Sequence, residues 1–459
     1  MSIAQQIKPD TQGRAAPVQV LKTKAETALS DAFAAVERQL PGGDWLRQLR
    51  RAAAGAFGAE GLPHRRVEEW KFTDLRAFMR EAFPLAQAAE PPEPAAVEAL
   101  VREALPGVDL LKAFAVIVDG HGAGEAGLSS ISEIDGAFVS RFVDHPPTWL
   151  ETEISDVSGH VADGALALNT ALFTDGAVID IAKGREIETP VALVFGDAGG
   201  EAKSVVTRNV VRVGKGAKLV LIETHAAPSA PRQVNTLTQL VIEDGAEVVH
   251  VKVIGSREGS IHLGRTIAKL GKDASYRPFQ MIVGDGIVRN DISITFRGQH
   301  STFDLGSAKL VNGHGHADTT LVVDHAVPHC TSRELVKCVL SDETRAIFQG
   351  KVIVRPDAQK TDGKQMAQAL MLSPNAEFDS KPELEIYADD VVCGHGSTSA
   401  EIDPELIFYL RSRGIPLVEA QAMLVESFIG EAIDKAEPEK VQEALRALAR
   451  GWLAKEARA

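Results

Sequence analysis

Cys393 and His395 stand two positions apart in VVCGHGSTS (391–399), in a chain with three cysteines in all. Two positions along a strand is one pleat repeat, so thiol and imidazole leave the same face. Gly394 and Gly396 alternate with them and leave the backbone open to a partner. A free thiol, with a pKa near ~8.5, is only a few per cent thiolate at neutral pH. An adjacent imidazolium is expected to raise that fraction and favour capture of a soft metal or sulfur. Two ligands do not hold iron or zinc firmly, because both take about four. The pair is half of a site, and the other donors must come from another strand or another chain. The competing reading is a buried, inert structural cysteine.

A second candidate is the histidine-rich stretch from His300 to His329, with GHGHAD (313–318) and DHAVPHC (324–330). It holds five of the thirteen histidines. His314 and His316 would share a strand face, and so would His325 and His329 if the backbone bends between them. A hydrolytic zinc site needs three protein ligands and an open position, and no dense signature such as H-E-x-x-H occurs here. Histidines and carboxylates bonded between neighbouring strands explain the stretch as well. GDAGGEAKS (196–204) has glycines and a lysine at the wrong spacing for a phosphate loop, and no dinucleotide fingerprint opens a helix. No cluster of three or four cysteines could hold an iron–sulfur centre within the chain.

Several elements must position these residues. From FAVIVDG (114–120) onward, short alternating Val/Ile/Thr segments end in Gly or Asp turns. Three turns share a pattern, VGKGAKL, IEDGAEV and LGKDASY. Their alanines Ala217, Ala246 and Ala274 recur at about 28 to 30 residues, the spacing of stacked repeats. FRGQHSTF, LSDETRAIF and LSPNAEF continue the pattern more faintly. Each unit is too small to bury its own apolar face, so units must stack. Two or three strands per unit without helices predict a parallel β-helix, with a β-sandwich as the alternative. Its last strand, carrying Cys393, would be an open sheet edge, either hidden by a helical cap or completed by another subunit.

Helical spacing marks KAETALSDAFAAVERQL and DWLRQLRRAAAGAF before this region. Trp70, Phe72 and Leu75 in HRRVEEWKFTDLRAF (64–78) read as an aromatic anchor, and EPPEP (90–94) as a hinge before one more short helix. After His395, Asp403 caps a helix, Pro404 opens it and Gly414 stops it. Leu406, Tyr409, Leu410 and Arg413 lie along it. Pro416 opens a second helix with Leu417, Ala420, Leu424 and Phe428 on one face. A third segment follows Pro438, with Val441, Leu445, Leu448 and Trp452 in a stripe. These helices read either as a cap on the solenoid or as a docking surface. The resulting division is a helical region over 1–110, a β-helix over 111–400 and a helical domain over 401–459.

A formal charge of −14 argues against nucleic acid, and 44% hydrophobic residues over 459 positions allow a large core. MSIAQQIKPD lacks a secretory pattern, no apolar run is long enough to span a bilayer, and the cysteines are too few for a disulfide framework. A soluble, reduced, cytoplasmic protein is expected.

Residues 350–415, above all AQKTDGKQ, KPELEIYADDV with C-x-H-G, and FYLRSRGI, resemble the SufB/SufD family of iron–sulfur cluster assembly proteins. RRVEEWKFTDL and CTSRELVKCVLSDETRAIFQGK bring the chain nearer the SufD branch than the SufB branch. The similarity is dense over 300–435 and faint in the first sixty residues. It implies a mainly β fold, a right-handed parallel β-helix flanked by N- and C-terminal helical regions, and a scaffold without catalysis of its own. It implies pairing with SufB through β-helix edges and docking of the ATPase SufC on the C-terminal helices, around Leu406, Tyr409, Leu410, Arg413, Leu417, Leu424 and Phe428. ATP binding by SufC would pull on those helices and open the seam. A transient iron–sulfur cluster would form at the SufB–SufD seam, with His395 and its neighbour Cys393 at the site. No cofactor or metal is expected to be held stably by the chain alone. A flavin is associated with the larger complex, and self-pairing of the isolated chain stays open. The rival readings are a β-helix enzyme acting on polysaccharide, for which Asp291, Asp304 and Asp318 are available, and a purely structural heterodimer partner.

Overall fold

A computed structural model describes residues 22–128, 136–142, 147–155 and 163–456. The first twenty-one residues, including MSIAQQIKPD, and the last three lie outside the described residues. The protein is mainly β. Its strands form a 10-stranded and a 9-stranded sheet whose neighbours alternate in sequence, so the chain crosses from one sheet to the other at every turn. From Val191–Gly196 to Val392–Glu401 each strand runs parallel to its sheet neighbours, whereas Ala177–Ile181 is parallel to the strand after it and antiparallel to Ala137–Arg141. This is a flattened parallel β-helix with two strands per unit, most of them ten residues long.

The repeated turn has a direct physical cause. Gly216, Gly245 and Asp273 all adopt positive φ (66°, 67° and 55°). This left-handed conformation is easy for Gly and tolerated by Asp. Their N–H groups each donate to the next rung, to Asp244, Lys272 and Gln299 carbonyls at 2.9, 2.7 and 2.9 Å. The following alanines, Ala217, Ala246 and Ala274, are buried at the corner. FRGQHSTF lies at the same corner. LSDETRAIF and LSPNAEF lie at the opposite one, between a strand of the 10-stranded sheet and the next strand of the 9-stranded sheet.

Helices cover both outer faces. Lys24–Val36, Asp44–Glu60 and Gly164–Leu172 pack on the 9-stranded sheet, where Leu29, Leu46, Phe57 and Leu172 meet Val206, Val210 and Ile261. Gly164–Leu172 and Leu150–Ser155 fall where the sequence predicts only strands. GALALNTAL carries no charged residue and is buried almost all round, Asn169 and Thr170 included, so no exposed polar face reveals its period. Pro94–Ala104 packs on the 10-stranded sheet.

The aromatic anchor is realised by Trp70. It is buried, the Arg289 guanidinium lies 3.9 Å over its ring, and its indole N–H donates to Asp163 at 3.3 Å. Thr73 donates to Asp318 at 2.5 Å, and Arg289 pairs with the same carboxylate at 2.7 Å. These bonds pin the N-terminal segment to the solenoid.

The C-terminal helices are Pro404–Ser412, Leu417–Ile433 and Glu439–Glu456, with Asp403 capping the first as expected. They do not cap the end of the solenoid. Ala420, Val425, Ile429 and Ile433, with Val441, Leu445 and Trp452, rest instead on the outer face of the 10-stranded sheet near Ala308, Leu310 and Val339. Lys337 fixes this seat, pairing with Glu431 at 2.5 Å and lying 4.4 Å over the Phe428 ring.

Candidate functional site

Val392–Glu401 is the border strand of the 10-stranded sheet and Glu377–Ile386 the border strand of the 9-stranded sheet. Neither strand contains a fully buried residue. With the helices seated on the side, both borders are open.

Register decides what each border residue does. Val392 N–H donates to the Thr361 carbonyl at 2.9 Å. In a parallel ladder the bonding side alternates, so Gly394, Gly396 and Thr398 bond inward along the sheet as Val392 does. Cys393, His395, Ser397 and Ser399 therefore turn their N–H and C=O groups to the open border. Within the 9-stranded sheet Glu377 N–H donates to the Thr344 carbonyl at 2.8 Å, which places Pro382 at an open position where no N–H is available. Pro382 blunts that border, whereas Val392–Glu401 contains no proline.

The side chains of Cys393 and His395 share a face, as their spacing requires. They pair with Gly363 and Gln365, two positions in line with the inward-facing Ala367 and Ala369, so both point into the mouth of the solenoid. Cys393 is half-buried and His395 exposed. Burial, with help from the Asp362 and Glu334 carboxylates, pushes the Cys393 thiol up against a smaller lowering by the Gly363 N–H. The expected activation of this thiol by its neighbour is therefore corrected: burial favours the protonated thiol.

Two residues that sequence reasoning passed over lie directly behind His395. In register, Leu305, Glu334, Gln365 and His395 form one column across four strands. Glu334 and Gln365 are each 3% exposed; Glu334 has only a poorly aligned approach from the Ser332 hydroxyl, and neither amide atom of Gln365 makes a hydrogen bond. Burial raises Glu334 to about 8, against smaller lowering by the Ser332 hydroxyl and by Arg333 and Lys435. Gln365 Oε1 fits because residue 350 is glycine; a Cβ there would lie 2.6 Å from it.

Farther along the interior, Glu223 is fully buried and pairs with Lys252 at 3.0 Å, His225 at 2.8 Å and His250 at 3.1 Å. Burial opposes its charge, but these partners outweigh it and hold its pKa well below the usual range. The network is internally paired, and its residues are scattered over strands whose sequences show no motif.

The five histidines of 300–329 do not converge. His314 is exposed on a turn and His300 stacks on His329 with ring centroids 4.9 Å apart. His316 bonds Thr73 at 2.9 Å, and His325 bonds Ser332 at 3.2 Å in the interior. Among the described residues no group of three or more His, Cys, Asp or Glu side chains is arranged to hold a metal ion. Asp291 and Asp318 are taken by Arg289, at 2.8 and 2.7 Å, and Asp304 pairs with Lys435 on the other sheet, so the carboxylate pair a glycosidase needs is not formed by these three.

The helix Pro404–Ser412 buries none of its residues. Leu406 and Tyr409 are exposed as expected for docking, with Arg413 4.9 Å over the Tyr409 ring; Leu410 is half-buried. Leu417 is exposed, while Leu424 and Phe428 are half-buried, Phe428 facing the sheet beneath Lys337. Phe408 (75% exposed), Val418 and Met423 belong to the same apolar surface and were missed, because a heptad-like stripe reads as core unless its partner is known. No helix of the described residues is long and apolar enough to cross a membrane.

Comparison with known proteins agrees with this architecture. Residues 195–428 match the model of the SUF system FeS cluster assembly SufBD core domain, and residues 24–193 match that of the SufBD protein N-terminal region. The chain is 29% identical over 416 residues to an iron–sulfur cluster assembly SufBD family protein of Synechocystis, covering 87% of this chain and 90% of that protein. It is 30% identical over 389 residues to the iron–sulfur cluster assembly protein SufD of Escherichia coli, covering 83% and 87%. It is 25% identical over 283 residues to the SufD of Bacillus subtilis, covering 61% and 64%. The chain belongs to the SufBD family of iron–sulfur cluster assembly proteins.

Proposed function

We propose that this chain is a non-catalytic scaffold subunit that pairs with SufB along the open border Val392–Glu401. A nascent iron–sulfur cluster, the cargo of the system, forms at that seam beside His395 and Cys393. The observation that carries the reading is the coincidence at one border strand of four unpaired backbone positions, a thiol and an imidazole, with no helix among the described residues over them. An edge of this kind is a template for another strand, and two protein ligands need further donors from across it. In this reading the solenoid (111–400) is the rigid body and residues 401–459 dock the ATPase SufC. Leu406, Phe408 and Tyr409 supply the apolar contact, and tension on these helices reaches the sheet through Lys337. The complex works in the cytoplasm. A flavin in the larger complex remains an expectation of the resemblance, and no residue here is assigned to it.

The test is His395→Ala in the complex reconstituted with SufB and SufC. Cluster formation, followed by iron and sulfide content and visible absorbance, should fall severalfold while the complex elutes unchanged on size exclusion. Undiminished assembly with His395 removed would leave only a structural partner.

A further inference from the structure

The midline of the solenoid interior is polar where its flanks are aliphatic. Gly264, Asn290 and Thr319 are in register on the 9-stranded sheet, and Lys252, Gln280 and Ser307 on the 10-stranded sheet. Each position shares a strand face with core residues, such as Ile292 beside Asn290 and Leu305 beside Ser307, so both columns point inward. Asn290 donates to Gln280 across the interior, which sets the columns face to face. These side chains are buried, yet Asn290 Oδ1, Ser307 Oγ, Thr319 Oγ1 and the neighbouring Thr266 Oγ1 and His262 Nε2 have no hydrogen-bond partner among the described residues. Buried polar atoms of this kind are satisfied by bound water where there is room for it. Gly264 makes room: a Cβ there would lie 2.9 Å from Asn290 Oδ1 and 3.4 Å from His262 Nε2, so one point lies within reach of two such atoms.

The same histidine leads outward. His262 meets His225 edge to face with ring centroids 4.7 Å apart, and Phe195 stacks on His225 at 4.3 Å. These three rings line a cavity of about 50 Å³ at the corner where the chain crosses from the 10-stranded to the 9-stranded sheet. That volume holds roughly three waters. Its lining includes exposed Ala226 and half-buried Pro228, so it opens to the side of the solenoid. Arg232 in its wall is paired with Asp119 at 3.1 Å and Asp197 at 3.5 Å, and an ion gains little from charges already matched. We propose that this cavity is a side port through which water enters the solenoid, and that a file of bound water runs from it past His262 and Gly264 to Thr319 and Ser307. Hydroxyls, an amide oxygen and an imidazole nitrogen mix donors with acceptors, and water serves both. From Gly264 to Thr319 the file spans two strand spacings, about 10 Å. It also reaches the Glu223 cluster, because His225 lines the port and bonds Glu223 at 2.8 Å, and Lys252 stands in the polar column. The cluster thereby exchanges protons with solvent while the fold stays closed. None of these residues lies on the border strands Glu377–Ile386 and Val392–Glu401.

The test is oxygen-17 relaxation dispersion of water over the full chain, which counts waters held inside longer than the protein tumbles, with thermal unfolding beside it. Thr319→Val and Ser307→Ala each delete one unpartnered hydroxyl at nearly constant shape. With water bound, each variant should hold at least one long-lived water fewer than the wild type and melt no higher. An unchanged water count overturns the file; melting would then rise, because an unpaired buried hydroxyl has gone. Thr266→Val gives the same reading should either variant fail to fold. Val234→Phe or Val205→Phe, which fill the cavity from its wall, should lengthen the residence time of these waters at least tenfold. An unchanged residence time overturns the port.

Discussion

Replacing Ser397 by proline probes the open border without touching either ligand. Ser397 is exposed and, by the alternation set at Val392, its N–H points away from the neighbouring strand Asp362–Met371. Proline is tolerated in a strand at such a position, and Gly396 before it already has the extended conformation proline demands. The folded chain should therefore change by less than about 1 kcal/mol in denaturant unfolding. A strand added at the border loses the donor for one of its carbonyls, and that unmade bond costs about 1–3 kcal/mol once buried. The affinity for SufB should fall about 5- to 150-fold, since every 1.4 kcal/mol is tenfold. Isothermal titration gives the affinity and urea titration the stability. Thr398→Pro is the control: its N–H lies on the inward side, so it should destabilise the chain itself. If Ser397→Pro pairs as tightly as the wild type, the partner does not add to this strand and the seam lies elsewhere.

Glu334→Gln should stabilise the isolated chain. A carboxyl raised from 4.5 to about 8 in the fold keeps its proton while the unfolded chain loses it, so stability is full below pH 4.5 and drains as pH rises toward 8. At pH 7 the deficit is about 3 kcal/mol at 1.36 kcal/mol per unit, and urea unfolding of the variant should lack that slope. Buried His316 and His325, both lowered to about 4 by burial, act in the opposite range. Stability falls as pH drops from 6.5 to 4, by up to about 1.4 kcal/mol per unit for each, which His316→Asn should make measurably shallower. Phe408→Ser with Leu406→Ser should abolish detectable SufC binding in a pull-down while leaving the melting temperature within about a degree, because Pro404–Ser412 buries nothing. Trp70→Ala should cost about 3–5 kcal/mol, seen in thermal unfolding, since it empties a buried site and removes the ring beneath the Arg289 guanidinium.

The solenoid is legible in the sequence because its corner demands a residue of positive φ followed by a small buried one, and Gly216-Ala217, Gly245-Ala246 and Asp273-Ala274 repeat that demand. The C-terminal helices are legible because Asp403, Pro404, Gly414 and Pro416 are local stop and start signals. Where they sit is a tertiary matter, decided by Lys337, Glu431 and the apolar outer face of strands beneath them. Inward and outward faces are equally hidden. In TSRELVKCVL, Leu335 and Val339 meet helices while Val336 and Cys338 meet the interior, so both faces are apolar and the alternation that would have marked Glu334 as inward is lost. Cys393 and His395 stood out only because two reactive side chains share a pleat; the column behind them joins residues thirty positions apart.

Hydrogen exchange along Val392–Glu401 addresses the border most directly, because neighbouring amides face opposite ways. In the isolated chain the amides of Cys393, His395, Ser397 and Ser399 should exchange fast and those of Gly394, Gly396 and Thr398 slowly. On assembly with SufB the first set should become protected. Unchanged fast exchange at these four amides in the assembled complex would contradict the account.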